Sequence, residues 1–235
     1  MMKQKKMIVL SFYDYTGVAL KPWEGFECYA FDIQHKGEIK RENVTYCETD
    51  LYDTKVLAEL TQRFKKGEVS FILGFPPCTD LAVSGARHFE KKRKKNQAFQ
   101  IEAAGHAQAI AKIADLYGCP YVIENPVSVL STLWRKPDYM FHPFEYGRYI
   151  PESEAVHPQY PEHIAARDAY SKKTCLWTGN GFIMPELKPV DCESFGSSLQ
   201  HRKLGGKSLK TKNIRSATPR GFAKAVYLSN KEKAG

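Results

Sequence analysis

Val69-Ser70-Phe71-Ile72-Leu73-Gly74 runs without a break into Phe75-Pro76-Pro77-Cys78-Thr79-Asp80. The first stretch is apolar apart from one serine and too short for an ordinary helix. It predicts a strand buried on both faces. The Pro-Pro pair ends it, because proline has no N–H for a ladder and restricts the residue before it. A cysteine just past that stop sits where a side chain leaves the sheet end.

Working outward, short apolar runs recur at Met7–Phe12 (MIVLSF), Phe26–Phe31 (FECYAF), Val44–Thr49, Cys119–Ile123 and Thr174–Trp177. Between them, Thr54–Lys65 carries Val56, Leu57, Leu60 and Phe64 at helical spacing, and Asn96–Tyr117 is the longest helical pattern. Ser216–Ser229 is a last helix, with Thr218-Pro219 at its start. Strands alternating with helices predict an α/β fold, a mostly parallel sheet with helices on both faces. Such sheets bind ligands beyond the carboxyl ends of their strands. The polar residues gather there: Asp14 to Gly17, Asp32, Asp50, Pro76 to Asp80 and Glu124-Asn125-Pro126. Turn formation accounts for about half of these positions, but not for Pro-Pro-Cys or Glu-Asn-Pro.

Composition sets the limits. The chain has 235 residues, 43% hydrophobic and 26% charged, with a formal charge of +9. That length reads as one domain, at roughly 100–200 residues each. No apolar run nears the ~20 residues of a membrane span. Met7–Phe12 is too short for a signal-peptide core and has no cleavage site after it. The expectation is a cytoplasmic protein whose six cysteines are reduced. His142, His157 and His163 lack the tight His/Cys spacing that zinc requires, so they are assigned to structure or surface, with no metal site.

Pro77-Cys78, Val122-Ile123-Glu124-Asn125-Pro126, and the Tyr15-Thr16-Gly17 turn with Asp32 at the next strand end together resemble the DNA cytosine-5 methyltransferase family, notably its small phage-type members. Ser128–Pro137, Lys172–Trp177 and Arg215–Val226 resemble later segments of the same family, so the resemblance extends over most of the chain. It implies a Rossmann-like class I fold with S-adenosyl-L-methionine as cofactor. Residues 1–177 and 216–235 would form the catalytic core, and 178–215 a short Gly/Lys-rich insertion.

The resemblance also implies roles. Cys78 would add to cytosine carbon 6, Glu124 would protonate ring nitrogen 3 and Asn125 would fix the carboxyl or a neighbouring backbone group. Lys172 stands where the family has its base-contacting arginine motif. Tyr13, Asp14, Thr16, Gly17, Asp32, Asp50 and Pro76 would hold the cofactor: Asp32 at the ribose, Asp50 near adenine, and Gly17 allowing close backbone approach. Three departures stand out. Tyr15 replaces a glycine of the Phe-x-Gly-x-Gly turn, Thr79 follows the Pro-Cys pair where glutamine is usual, and Lys172-Lys173-Thr174 replaces Gln-x-Arg-x-Arg.

The chemistry is coherent apart from the family. Carbon 5 of cytosine is a poor nucleophile until a thiolate adds at carbon 6, which is covalent catalysis. An acid at an apolar strand end has its pKa raised, as proton donation to the ring needs.

Arg87–Gln97 and His201–Arg215 each carry six Lys/Arg, with one acid in the first and none in the second. They predict flexible phosphate-contacting segments, with Ser84, Arg87, Lys91, Lys92, Arg93, Arg202, Lys203 and Lys207 on DNA. A duplex base must be flipped out to reach a thiol, or the substrate must be single-stranded. The Cys78–Arg87 loop would close over that base, hinged at Ser84-Gly85. Only about forty residues, 178–215, are left for reading sequence, short beside restriction-type relatives, so a partner protein is one source of specificity. Two alternatives remain at this point: a pyrimidine modifier of RNA or nucleotides, or one using a modified donor; and a catalytically degenerate DNA-binding protein.

Overall fold

The computed structural model describes residues 7–192, 203–204 and 208–234. Eight strands form one sheet: β1 (Ile8–Phe12), β2 (Glu27–Asp32), β3 (Glu38–Arg41), β4 (Val44–Glu48), β5 (Val69–Gly74), β6 (Tyr121–Pro126), β7 (Tyr139–Phe141) and β8 (Thr174–Gly179), in the order β3-β4-β2-β1-β5-β6-β8-β7. β4, β2, β1, β5 and β6 pair in parallel, while β3 and β8 run against their neighbours. The chain builds outward from β1 through β2 to β4, then returns to β5. The order therefore reverses between β1 and β5, where a crevice opens at the carboxyl ends.

Both central strands are buried throughout. Alternate side chains feed two cores. Leu10, Phe12 and Ile72 pack on one face with Ile110 and Ala114 of α3 (Phe99–Tyr117) and Leu60 of α1 (Thr54–Arg63). Val9, Phe71 and Leu73 pack on the other with Phe222, Ala225 and Val226 of α6 (Arg220–Asn230). Gly74 lets α3 lie close, since a Cβ there would strike Ile110. The two faces are covered unequally. The crossover from β1 to β2 holds only one 3-10 turn, Val18–Leu20, and β2 passes to β4 through the exposed edge strand β3 instead of a helix.

Several boundaries differ from the sequence reading. Glu124-Asn125-Pro126 does not stop β6; antiparallel β8 pairs all three, opposite Leu176, Cys175 and Thr174. The 135–170 excursion is wedged onto the core, with Phe141 stacked on Phe222 at 4.1 Å between ring centroids. The core also continues beyond residue 177: β8 runs to Gly179, Phe182 and Met184 join the second core, and the Asn230 amide bonds both the N–H and the carbonyl of Ile183. No helix among the described residues is long and apolar enough to cross a membrane.

Candidate active site

The segment after β5 is held at fixed points. Phe75 donates its N–H to Phe12, extending the β1 ladder by one residue. Pro76 and Pro77 have no N–H, but the Asn125 amide donates to the Pro76 carbonyl at 2.9 Å. The Leu81 and Ala82 N–H groups both donate to the Cys78 carbonyl, and Ala82 bridges Ser128. Cys78 therefore sits on a tight turn anchored to β6 before and after it. Asn125 fixes backbone and not the Glu124 carboxyl, and its own Oδ1 is buried without a hydrogen-bond partner.

These loops wall a cavity of about 610 Å³ lined by Cys78, Glu124, Asn125, Lys172, Pro76 and Ser84, with Tyr13 and Asp32 on the opposite side. Burial pushes the Glu124 carboxyl up, opposed by the Lys172 cation. Burial also pushes the Cys78 thiol up, reinforced by Glu124 and opposed by Lys172. Lys172 thus favours the charged form of both groups. Its Nζ is placed by donating to the Arg215 carbonyl at 3.1 Å. Cys28 and Cys119 lie in the core, where burial drives each thiol up to about 12 and leaves it inert.

Across the cavity, Asp32 ends β2 and accepts from the Gln34 N–H at 2.8 Å, while burial raises its carboxyl. The Tyr13 hydroxyl donates to the Leu51 carbonyl and lies 2.9 Å from His106 Nδ1. Asp14, Thr16, Gly17 and Asp50 do not line this cavity. Asp14 is fully enclosed and accepts from the Gly17 N–H and the Ser11 hydroxyl. Gly17 has φ +65° and lies against the Tyr46 ring, so a Cβ is excluded by both its backbone and its neighbour. Thr16 faces a separate groove. Asp50 accepts from the Tyr52 N–H, and it is Tyr52, 57% exposed, that faces the cavity. Thr49, Leu51 and Tyr52, with Lys212, Asn213 and Arg215 of α5 (Leu209–Ser216), also line it, and the sequence reading does not place them in the site. An aromatic just past a strand end is the available signal for Tyr52; α5 falls in the second basic run, His201–Arg215, which the sequence reading expects to be a flexible segment and which is helical from Leu209.

The first basic run is not a flexible loop. Ser84-Gly85 lies inside a 3-10 helix, Val83–His88, that leads into α2 (Phe89–Lys95), whose polar sequence has no apolar face to announce it. Lys92 pairs with Asp80, Arg87 donates to His88, and Arg93 donates to Gln100. Lys91 is exposed on α2, and Lys203 is exposed. Arg202 and Lys207 lie outside the described residues. His157 is buried, and its Nδ1 accepts from the Gln159 and Tyr160 N–H groups.

No family model matches the chain, and no curated protein sequence matches it. Among solved structures, similarity is found to a candidate DNA modification methyltransferase encoded within an E. coli prophage. The TM-score is 0.39 at 11% identity, over 79% of this chain and 53% of that one. The MycE methyltransferase of the mycinamycin biosynthetic pathway, in complex with Mg and SAH, gives a TM-score of 0.33 at 17% identity, over 76% of this chain and 43% of that one. This chain therefore spans about half the length of these structures or less. The fold is α/β, with a mixed, mostly parallel sheet of eight strands.

Proposed function

We propose that this chain is an S-adenosyl-L-methionine-dependent methyltransferase that modifies carbon 5 of cytosine in DNA. The observation that carries this reading is that Cys78, Glu124 and Lys172 open into one cavity whose far wall carries Asp32. Its volume and lining fit the cofactor. Asp32 offers a carboxyl at the end of β2, where ribose hydroxyls bind in nucleotide sites of this architecture. Tyr52 offers an exposed ring, and Tyr13 and Pro76 close the walls. Tyr15, which replaces the family's glycine, faces the neighbouring groove and does not line the cavity.

Cys78, deprotonated under the influence of Lys172, adds to carbon 6 of the ring. A sulfur–carbon bond forms, and the electron pair displaced towards ring nitrogen 3 takes the proton that Glu124 holds. The resulting enamine is nucleophilic at carbon 5. When bound, the cofactor supplies an electrophilic methyl group. A solvent base then takes the carbon 5 proton, the freed electron pair expels Cys78 as a thiolate, and the ring nitrogen 3 proton returns to Glu124 as the aromatic ring is restored. Asn125 acts as a positioning residue, since its amide holds the Pro76 carbonyl and through it the cysteine turn.

The direct test is trapping with an oligonucleotide containing 5-fluorocytosine, in which fluorine cannot leave as the proton does. The expected result is a covalent adduct on Cys78 that needs the cofactor and disappears in Cys78→Ala. Wild-type protein that binds both ligands yet forms no adduct refutes the mechanism.

A further inference from the structure

On the β2–β4 side of the sheet, where the first crossover is a single 3-10 turn, a groove of about 1120 Å³ is left open. Its wall carries a stack of Tyr15 on His35, with centroids 5.7 Å apart and planes 19° from parallel, and His35 meets Tyr46 edge-on at 5.2 Å. Tyr15 is 40% exposed, so its outer face is free to take another ring. His35 is held by a hydrogen bond of 3.2 Å between its Nε2 and the Asp14 carbonyl. Lys21, Lys36 and Arg41 line the same groove; Arg41 lies over the Tyr46 ring, 5.6 Å from its centroid, and none of the three forms an ion pair among the described residues, where the acids of the groove are Glu24 and Glu42.

This groove adjoins two others. It shares Gln34 with the Cys78 cavity. At its other end it shares Lys21 and Glu24 with a smaller groove of about 350 Å³, which adds Arg220 and Lys224. Arg220 is committed to the Glu154 and Ala155 carbonyls, and Lys224 lies over the Tyr227 ring. Stacked rings interleaved with cations that form no ion pair, beside the Cys78 cavity, match the chemistry of single-stranded nucleic acid.

We propose that these adjoining grooves hold a single strand of nucleic acid, with a base stacked on Tyr15 and its phosphates beside Lys21 and Lys36, running past Gln34 to the Cys78 cavity. The proposal builds on the functional reading by naming the substrate form and its path. It also adds a surface that engages nucleotides beside the target.

The test uses the full chain and fluorescein-labelled single-stranded DNA of 4 and 12 nucleotides, with Kd from fluorescence anisotropy. The expected result is tighter binding of the longer strand. Tyr15→Ala should weaken 12-nucleotide binding roughly 5- to 100-fold, in the range of one lost stacking contact. Tyr15→Phe should retain it. Lys21→Gln with Lys36→Gln should reduce the slope of log K against log salt by about 1.4, at about 0.7 per phosphate. Equal binding of both lengths overturns the proposal, as does an unaffected Tyr15→Ala variant with wild-type circular dichroism. Tighter binding of the matched duplex, lost on changing Lys91 and Arg93 but not the groove, overturns it as well. Fluorocytosine trapping separates this from the functional reading. An adduct formed without groove dependence removes the strand track alone. Groove-dependent binding without an adduct removes the proposed reaction and keeps the track.

Discussion

Asp14 and Glu124 both lie at the carboxyl ends of the central strands, Asp14 enclosed and Glu124 facing the cavity, and burial pushes both carboxyls up. Their surroundings are opposite. Asp14 receives the Ser11 hydroxyl at 2.8 Å, the Gly17 N–H at 2.7 Å and the Thr16 hydroxyl at 3.3 Å. Glu124 has no hydrogen-bond partner among the described residues, only the Lys172 charge and open volume in front of it. The first carboxyl is saturated and shapes a turn. The second keeps its capacity to hold or deliver a proton. The two carboxyls therefore differ in what surrounds them more than in their acidity or their place on the sheet.

The sharpest way to break that contrast is to exchange the consequences. Glu124→Gln should slow adduct formation by about 10²–10⁴, the usual loss for a general acid, with little change in Tm. Asp14→Asn should instead turn an amide donor towards donors and cost about 1–3 kcal/mol of stability. An Asp14→Asn protein with wild-type Tm and lost activity would end the distinction.

A smaller effect concerns Cys78. Its thiol is raised, so at pH 7.5 the thiolate is scarcer than for a free cysteine near ~8.5, and alkylation by iodoacetamide should accelerate at a higher pH than it does for a free cysteine. Lys172→Gln removes the opposing cation and should move that inflection higher. Glu124→Gln removes a negative neighbour and should move it lower. Peptide mapping of alkylated Cys78 across pH reads both shifts, and inflections moving the other way exclude the assigned electrostatics.

The mildest effect lies far from the cavity. Asp168 is buried beside α6, accepts from the Gly221 N–H at 2.9 Å and has its carboxyl raised to about 6, chiefly by burial. A raised folded-state value favours the protonated form, so the stability it confers is present below about pH 4 and lost as pH rises through about 6. Asp168→Asn should therefore raise Tm by a few degrees at pH 7.5 and lose that advantage near pH 4. Thermal melts at the two pH values decide it.

Much of this fold was legible because its central strands are buried on both faces. Runs such as VSFILG and MIVLSF have no competing reading once Gly and Pro close them. The polar elements were not legible. β3 is exposed along its whole length, β7 has three residues, and α2 carries charge all round, so no hydrophobic period marks them. The site divides the same way. Cys78 and Glu124 are visible in short motifs, and the structure brings both to one cavity. Tyr52 and Arg215 reach that cavity only through tertiary packing, which local sequence does not encode. Tyr15 stands in a motif position yet faces the other groove, a matter of direction that spacing alone leaves open.

Gln34 has the last consequence. It lines both the Cys78 cavity and the aromatic groove, donates its backbone N–H to Asp32 and accepts from the Asn213 amide of α5 at 3.0 Å. A ligand that reorients this one side chain on either side changes the wall presented to the other. Thermodynamic linkage makes that exchange reciprocal: whatever factor a groove ligand applies to affinity in the cavity, the cavity ligand returns in equal measure. With both spaces occupied as proposed, the one residue they share would couple the two binding equilibria.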